Sequence, residues 1–158
     1  MELIIFEKPD YKQLIDWIDS KDLNYLWGGP SYDFPLTHQQ IKHHCAQECV
    51  FPYLAKHEGQ NVGFIELYQV SMSEFHVCRV FISSEFRGQG LAQEMMRLAT
   101  QKAALEFNAN LLTLYVFSHN ESAIKCYEKL GFKTTSVQAR ERVLGGKVWE
   151  LRAMEKRL

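Results

Sequence analysis

The junction between a strand and a helix at residues 81–96, FISSEFRGQGLAQEMM, combines the residue types that bind an anion. The segment begins as an apolar strand, passes through Arg87, Gly88 and Gly90, and continues with the apolar spacing of an amphipathic helix. The first amides of a helix carry a partial positive charge, and glycine lets them approach a ligand without an intervening Cβ. Arg87 adds a permanent, forked positive charge. We therefore predict a phosphate or pyrophosphate site at residues 87–92, with a tight turn bearing a surface arginine as the alternative.

Other ligand-binding patterns are not completed in this sequence. The GxGxxG fingerprint fails because Gly88 and Gly90 are followed by Gln93, and no GxxxxGK[ST] motif occurs. The stretch HHCAQEC places Cys45 and Cys49 one helical turn apart, but a zinc site usually takes four ligands from recognisable spacings. No second half of such a site is present in the sequence, so we expect no metal.

Composition restricts the class of protein. The chain has 158 residues, of which 46% are hydrophobic and 23% are charged, as in a single globular domain with a buried core. A net charge of -1 disfavours nucleic-acid and membrane-surface partners, and no apolar run approaches the roughly 18 residues of a membrane span. The start, MELIIFEKPDYKQ, lacks the basic region of a signal peptide. The four cysteines suggest no disulfide framework, so we expect a cytoplasmic protein with reduced thiols.

Hydrophobic spacing and chain-breaking residues predict alternating strands and helices. Residues 24–36 contain two glycines and two prolines, which predicts an irregular segment. The glycines at 145 and 146 predict a turn between the last two strands. Strands are predicted at 2–6, 50–58, 62–70, 74–83, 111–117, 132–138 and 146–155, and helices at 9–20, 37–48, 91–107 and 120–130.

Two motifs together resemble the GCN5-related N-acetyltransferases. Residues 87–92, RGQGLA, match that family's Q/R-x-x-G-x-G/A signature. Residues 112–132 end in the family's A-x-x-x-Y-x-x-x-G-F pattern, which is formed by Ala123, Tyr127, Gly131 and Phe132. The resemblance is clear over residues 50–135. It implies a mixed α/β fold with a single N-acetyltransferase domain over residues 1–158. The central, mostly antiparallel sheet would have six to seven strands, with the fourth and fifth splayed apart and helices on both faces.

The resemblance also implies where acetyl-CoA binds. In this family the cofactor lies between the splayed strands, and its pantetheine arm pairs with the fourth strand, here at Val80, Phe81 and Ile82. Asn120 matches an asparagine that contacts the same arm; it is also a candidate N-cap, next to a Ser118-x-x-Glu121 capping box. The residues that would surround the pyrophosphate are Arg87, Gly88, Gln89, Gly90, Leu91 and Ala92.

Tyr127 matches the tyrosine that commonly protonates the departing thiolate in this family, and it would contact the cofactor there. An O–H donor within hydrogen-bond reach stabilises the charge that develops on the sulfur. The alternative is an aromatic side chain that only packs a helix against the core. Cys126 and Cys78 raise a covalent acetyl-cysteine route, but direct transfer is usual in the family and we interpret both thiols as packing.

The sequence leaves the general base open. An amine with a pKa near 10.4 costs about 4–5 kcal/mol to deprotonate at pH 7, against about 1 kcal/mol for a peptide α-amine. Ribosomal-protein N-terminal acetyltransferases often carry a glutamate where this chain has Tyr115, so the sequence departs from their pattern. The candidates are His76 and Glu74 on the fourth strand and Glu66 on the third, with a chain of water molecules as the alternative.

Acceptor specificity in this family usually comes from the first two helices and their connection. That region contains Trp27, Tyr32, Asp33 and Phe34. An aromatic rim with one carboxylate would suit an amine with an apolar or cationic body, and packing of the loop onto the sheet is the alternative.

We therefore predict an N-acetyltransferase that moves the acetyl group of acetyl-CoA to a primary amine of a small molecule or peptide by direct attack. We expect a monomer or homodimer without a nucleic-acid or membrane partner. The alternatives are an N-terminal protein acetyltransferase of the ribosomal-protein type and a non-catalytic CoA-binding sensor.

Overall fold

A computed structural model describes residues 1–144 and 146–158, and these residues form seven strands and five α-helices. The strands are β1 (Glu2–Ile5), β2 (Val50–His57), β3 (Gln60–Gln69), β4 (Glu74–Ile82), β5 (Leu111–Phe117), β6 (Lys133–Leu144) and β7 (Lys147–Arg157). The helices are α1 (Tyr11–Trp17), α2 (Lys21–Gly28), α3 (His38–Cys45), α4 (Leu91–Phe107) and α5 (Glu121–Lys129). Gly146 lies in the turn between β6 and β7, while Gly145 of the predicted glycine pair lies outside the described residues.

All seven strands form one sheet in the order β1-β2-β3-β4-β5-β7-β6. Every neighbouring pair is antiparallel except β4 and β5, which are parallel. The β4–β5 pairing runs only from Glu74 opposite Leu111 to His76 opposite Thr113. Beyond His76 the two strands diverge and leave a gap in the middle of the sheet. The predicted mixed α/β fold with splayed fourth and fifth strands is therefore confirmed.

The sheet is packed on both faces, because alternate residues of its strands enter two different apolar clusters. Tyr53 and Ala55 of β2 belong to a cluster that includes buried residues of α4 and α5. Leu54, which lies between them, belongs to a second cluster with Leu14 of α1 and Ile41 of α3. This period of two is expected for a strand whose side chains point alternately to opposite faces.

The prediction of an irregular segment from residue 24 is wrong at its beginning. Helix α2 covers Lys21–Gly28, starting at Ser20, whose Oγ accepts a hydrogen bond from the Leu23 amide at 3.3 Å. The helix ends at Gly29, which has a φ of 58°. The glycines and the proline therefore stand where a helix terminates, and breakers at that position do not prevent the helix before them.

Of the four predicted helices, α4 and α5 match their predicted ranges, whereas α1 and α3 end about three residues before their predicted ends. Thr37 caps α3, since its Oγ1 accepts a hydrogen bond from the Gln40 amide at 3.3 Å, and α4 ends at Phe107 as predicted. The N-cap of α5 is Asn120, whose Oδ1 accepts from the Ala123 amide at 3.2 Å, so the predicted capping box at Ser118 is wrong. None of the helices in the described parts of the chain is long and apolar enough to cross a membrane.

Candidate active site

Two cavities meet where β4 separates from β5. The glycine-loop cavity has a volume of about 800 Å³ and is lined by the end of β4, the junction at 87–92, the start of α4 and one side of α5. The strand-gap cavity has a volume of about 170 Å³ and lies between the diverging parts of β4 and β5. Six residues line both cavities: Leu26, Trp27, Val80, Phe117, Asn120 and Tyr127.

The predicted anion site lies at the N-terminus of α4. Gly88 and Gly90 both have a left-handed φ, 78° and 77°, which favours glycine, and Gly90 is the N-cap of the helix. The first helical hydrogen bond comes from Gln93 to the Gly90 carbonyl at 3.1 Å. The amides of Leu91 and Ala92 precede that bond and lie in the cavity wall, where a helix binds anions.

Arg87 is held in place beside this helix start. Its Nε donates to the Ile82 carbonyl at 3.2 Å, and its guanidinium carbon lies 6.0 Å from the centre of the Phe81 ring. Gln89 is different, because its side chain is exposed, donates to the Glu85 carbonyl at 3.4 Å, and does not line the cavity.

Positive charge dominates the glycine-loop cavity. Arg87, Lys125 and Lys129 line it, and the described lining residues include no carboxylate. Lys125 and Lys129 stand one turn apart on α5, so an i, i+4 basic pair was the sequence signal for this side of the cavity. Sequence reasoning also missed other lining residues: Phe86, Gln93, Phe117, His119, Ser122 and Cys126. The charge and the helix N-terminus fit the phosphates of a coenzyme A molecule.

The backbone at the end of β4 is not paired with β5 and forms part of the cavity wall. Val80, Phe81 and Ile82 all line the glycine-loop cavity, and they lie beyond the last β4–β5 pair at His76. An extended ligand can add to such a strand as a further strand would. Asn120 lines the same space.

Tyr127 lies at the meeting point of the two cavities. Its side chain is buried and packs against Phe132, with the ring centres 6.1 Å apart. Burial, and secondarily the neighbouring Cys126, raises the pKa of Tyr127 well above its usual value. The phenol therefore keeps its proton at neutral pH and can donate it.

The two thiols considered as nucleophiles are poorly suited to that role. Burial raises the pKa of Cys126, and burial together with the Glu66 carboxylate raises the pKa of Cys78 well above its usual value. Both thiols are therefore protonated at neutral pH, whereas the nucleophilic form of cysteine is the thiolate.

Of the three candidate bases, His76 alone lines one of the two cavities. It borders the strand-gap cavity, and its Nδ1 lies 3.0 Å from the Thr113 hydroxyl, which fixes the orientation of the ring. Glu74 is half-buried at the start of β4 and lines neither cavity. Glu66 is fully buried and is bound by Arg79 and His44.

Of the four residues predicted on the acceptor side, Trp27 lines the two cavities, whereas Tyr32, Asp33 and the exposed Phe34 line neither. Trp27 lines both cavities, and its Nε1 donates to the Arg79 carbonyl at 2.9 Å. Tyr32 is instead buried in the core, stacked on Trp27 with ring centres 5.4 Å apart. Asp33 is exposed, and its amide bonds to Gln40 at 3.0 Å. The expected aromatic rim with a carboxylate is thus reduced to Trp27 and its neighbour Leu26, because Tyr32 packs beneath Trp27.

The described residues contain no group of three or more histidine, cysteine or acidic side chains placed to hold a metal. A further cavity of about 580 Å³ lies beside α3 and the end of α4, and it includes none of the predicted site residues.

Comparison with known proteins gives the same family as the motifs. The acetyltransferase (GNAT) family profile matches residues 12–132. The spermidine N(1)-acetyltransferase of Escherichia coli is 31% identical over 114 residues, which are 69% of this chain and 55% of that enzyme. The uncharacterized N-acetyltransferase YdgE of Bacillus subtilis is 32% identical over 89 residues, 54% of this chain and 56% of that protein.

Among solved structures, the spermidine N-acetyltransferase of Vibrio cholerae in complex with CoA and spermine superposes with a TM-score of 0.85. The sequence identity is 16%, and the alignment covers 99% of this chain and 94% of that one, so this likeness concerns the fold. The chain spans little more than half the length of the Escherichia coli and Bacillus subtilis relatives. The profile match over most of the chain shows that this protein belongs to the acetyltransferase (GNAT) family.

Proposed function

We propose that this protein is an N-acetyltransferase that transfers the acetyl group of acetyl-CoA directly to a primary amine of a small molecule or peptide. The observation that carries the proposal is that Tyr127, a buried and protonated phenol, lines both the cationic glycine-loop cavity and the strand-gap cavity. A group in that position can serve a reaction between a ligand in one cavity and a ligand in the other.

The glycine-loop cavity is proposed to hold the cofactor. The amides at the start of α4 and Arg87 would bind the pyrophosphate, the backbone from Val80 to Ile82 and Asn120 would bind the pantetheine arm, and Lys125 and Lys129 add positive charge. Bound acetyl-CoA supplies an activated thioester, so the protein has only to orient the two reactants and manage two protons.

Two side chains are proposed to move those protons. The nitrogen of the amine attacks the acetyl carbonyl carbon, and the carbon–sulfur bond breaks. Tyr127 donates its O–H proton to the departing sulfur, and His76, which lines the acceptor side, takes the proton lost by the amine. The protonated Cys78 and Cys126 support direct transfer without a covalent enzyme intermediate.

The strand-gap cavity is proposed to receive the amine, with Trp27 and Leu26 at its entrance. Spermidine is a first acceptor to test, because the Escherichia coli relative and the Vibrio cholerae neighbour are named for it. The described lining of this cavity has no carboxylate, however, so it favours an amine with an uncharged, apolar body.

Thermal unfolding with acetyl-CoA tests the proposal. At 100 times its dissociation constant the ligand should add about 2.7 kcal/mol, which for a domain of this size is a rise of roughly 5–10 °C in the midpoint. The rise should be lost in Arg87→Glu. It should persist in Arg97→Glu, because Arg97 lies on the exposed side of the same helix and binds Gln101.

A panel of amines then separates the remaining outcomes. Release of CoA with an amine from the panel supports the enzyme, whereas binding without release for any amine favours a sensor. No rise in the midpoint at saturating acetyl-CoA would overturn the proposed function.

A further inference from the structure

The backbone of β4 changes direction at Arg79. This residue has a φ of 53°, in the left-handed region that non-glycine residues avoid, although it lies inside a strand. The register between β3 and β4 also shifts, between Phe64 and Glu66. Arg79 lines the strand-gap cavity, and the next residue, Val80, lines both cavities. The left-handed residue therefore lies three positions beyond His76, the last residue of β4 that pairs with β5.

A buried carboxylate lies next to this residue. Glu66 is fully buried, and its Oε1 accepts hydrogen bonds from Arg79 Nη1 and, at 3.2 Å, from Cys78 Sγ. Its Oε2 lies 3.0 Å from Nε2 of His44 on α3. Burial, the largest single effect, acts to lower the pKa of Arg79, but the Glu66 carboxylate together with Cys78, Tyr32 and Cys45 raises it on balance. The guanidinium is therefore charged and bound to Glu66.

Arg79 also connects β4 to Trp27 and Tyr32 on the acceptor side. The Arg79 carbonyl accepts a hydrogen bond from Trp27 Nε1 at 2.9 Å, and the Arg79 guanidinium lies 5.5 Å from the centre of the Tyr32 ring. Helices α2 and α3 and strands β3 and β4 are thus all connected through Glu66 and Arg79.

We propose that Glu66 and Arg79 are positioning residues for the cofactor strand. The buried pair holds Arg79 in the left-handed conformation, and this directs the backbone that follows it, from Val80 to Ile82, toward the glycine-loop cavity. The inference rests on the proposed function, since it concerns how that cavity receives acetyl-CoA. Neither side chain has to touch the cofactor to exert this effect.

Two matched double variants test the inference. Glu66→Gln/Arg79→Ala and Glu66→Gln/Arg79→Gly both remove the ion pair and the packing of the arginine on Tyr32. They differ in one respect, because glycine adopts a left-handed φ readily and alanine does not. Elsewhere in a strand glycine is the poorer residue, so a merely structural role for Arg79 predicts that the alanine variant is equal or better.

The dissociation constant of acetyl-CoA is measured by titration calorimetry, well below the unfolding midpoint of each variant. We expect the alanine variant to bind about tenfold more weakly than the glycine variant, with the glycine variant closer to the wild type. Glu66→Asp is a smaller change that retains the charge but moves it away from Arg79, and it should also weaken acetyl-CoA binding. This variant replaces the double variants if they do not fold.

The outcomes separate this inference from the proposed function. If the wild type binds acetyl-CoA and the alanine and glycine variants bind it equally well, the positioning role is overturned and the proposed function stands. If the double variants do not fold, undiminished affinity of Glu66→Asp has the same consequence. A wild type that does not bind acetyl-CoA would overturn both.

Discussion

The glycine-loop cavity and the strand-gap cavity share six residues but are built on different principles. The first is lined by three cationic side chains and by the amides at the start of a helix, and most of its wall comes from two continuous stretches of chain, 80–93 and 117–129. The second draws its wall from β4, β5, α2, α5 and β7, and its described charged group, Arg79, is bound to Glu66.

This difference explains why the two cavities reveal their ligands unequally. An excess of positive charge in the lining of a cavity implies an anionic ligand. An aromatic and aliphatic wall with a neutralised charge selects by shape and by the apolar area that it removes from water, which many amines could satisfy. Under the proposed function, the glycine-loop cavity therefore selects its ligand by charge, and the strand-gap cavity selects its ligand by shape and size.

The largest effect is expected from Tyr127→Phe, which should separate turnover from acetyl-CoA affinity. Loss of the O–H removes the proton donor for the departing sulfur but leaves the shape of both cavities almost unchanged. We expect kcat to fall by about 10³-fold and the dissociation constant of acetyl-CoA to stay within about twofold. CoA release and calorimetry measure the two quantities. Tyr68→Phe is the control, since Tyr68 lines neither cavity, and an unchanged kcat in Tyr127→Phe would contradict the acid role.

The strand-gap cavity can be probed by a pair of substitutions on one strand. His76→Gln should lower kcat by about 10²-fold at neutral pH, because the amide of glutamine does not accept a proton from the amine. Glu74→Gln should leave kcat within about twofold, since Glu74 lines neither cavity. Steady-state turnover of both variants decides the matter, and the reverse pattern would assign the base to Glu74.

The affinity of the glycine-loop cavity for acetyl-CoA can be lowered without changing the charge of the cavity. Gly90→Ala puts a Cβ on a residue with a φ of 77°, which costs about 1–2 kcal/mol and should weaken acetyl-CoA binding by about tenfold. Gly59→Ala carries the same type of strain, at a φ of 79° with open space around it, but lies in the turn between β2 and β3. It should lower the unfolding midpoint and leave the affinity unchanged. Equal loss of affinity in both would trace the effect to general instability.

Ionic strength should distinguish the cavities by a smaller effect. Raising the salt concentration from about 0.1 to about 1 M shortens the Debye length from about 10 to about 3 Å. We expect KM for acetyl-CoA to rise several-fold, and KM for an amine with an uncharged body to change by less than about twofold. Initial rates at both concentrations provide the comparison. An acceptor KM that rises as steeply as that of acetyl-CoA would show that the strand-gap cavity also relies on charge.

The parts of the molecule that were predicted from the sequence are those encoded by neighbouring residues. The left-handed glycines and the helix start at 87–92, where the anion site is predicted, follow from a short motif, and α4 follows from its apolar spacing. Helix α2 is not predicted, because Gly28, Gly29 and Pro30 resemble breakers of the whole segment, whereas they stand at the end of a helix capped by Ser20.

The interior of the acceptor side could not be predicted for a different reason. Glu66 lies 22 residues from His44 and 13 from Arg79, and no spacing rule joins positions on three separate elements. Their proximity depends on the register of β3 with β4 and on the docking of α3, which tertiary packing determines. Tyr32 illustrates the same point, since its sequence context does not distinguish a cavity residue from one that supports Trp27 from below.

The short pairing between β4 and β5 also affects how the molecule holds together. In the described part of the chain, three residue pairs join strands β1–β4 to strands β5–β7 within the sheet, from Glu74 to His76 on β4 and from Leu111 to Thr113 on β5. Cohesion between these two halves therefore falls largely to the helices that cover the seam and to whatever lies in the gap. A ligand that contacts β4 on one side and α5 on the other would connect the two halves, so binding in the gap should also make the whole sheet more rigid.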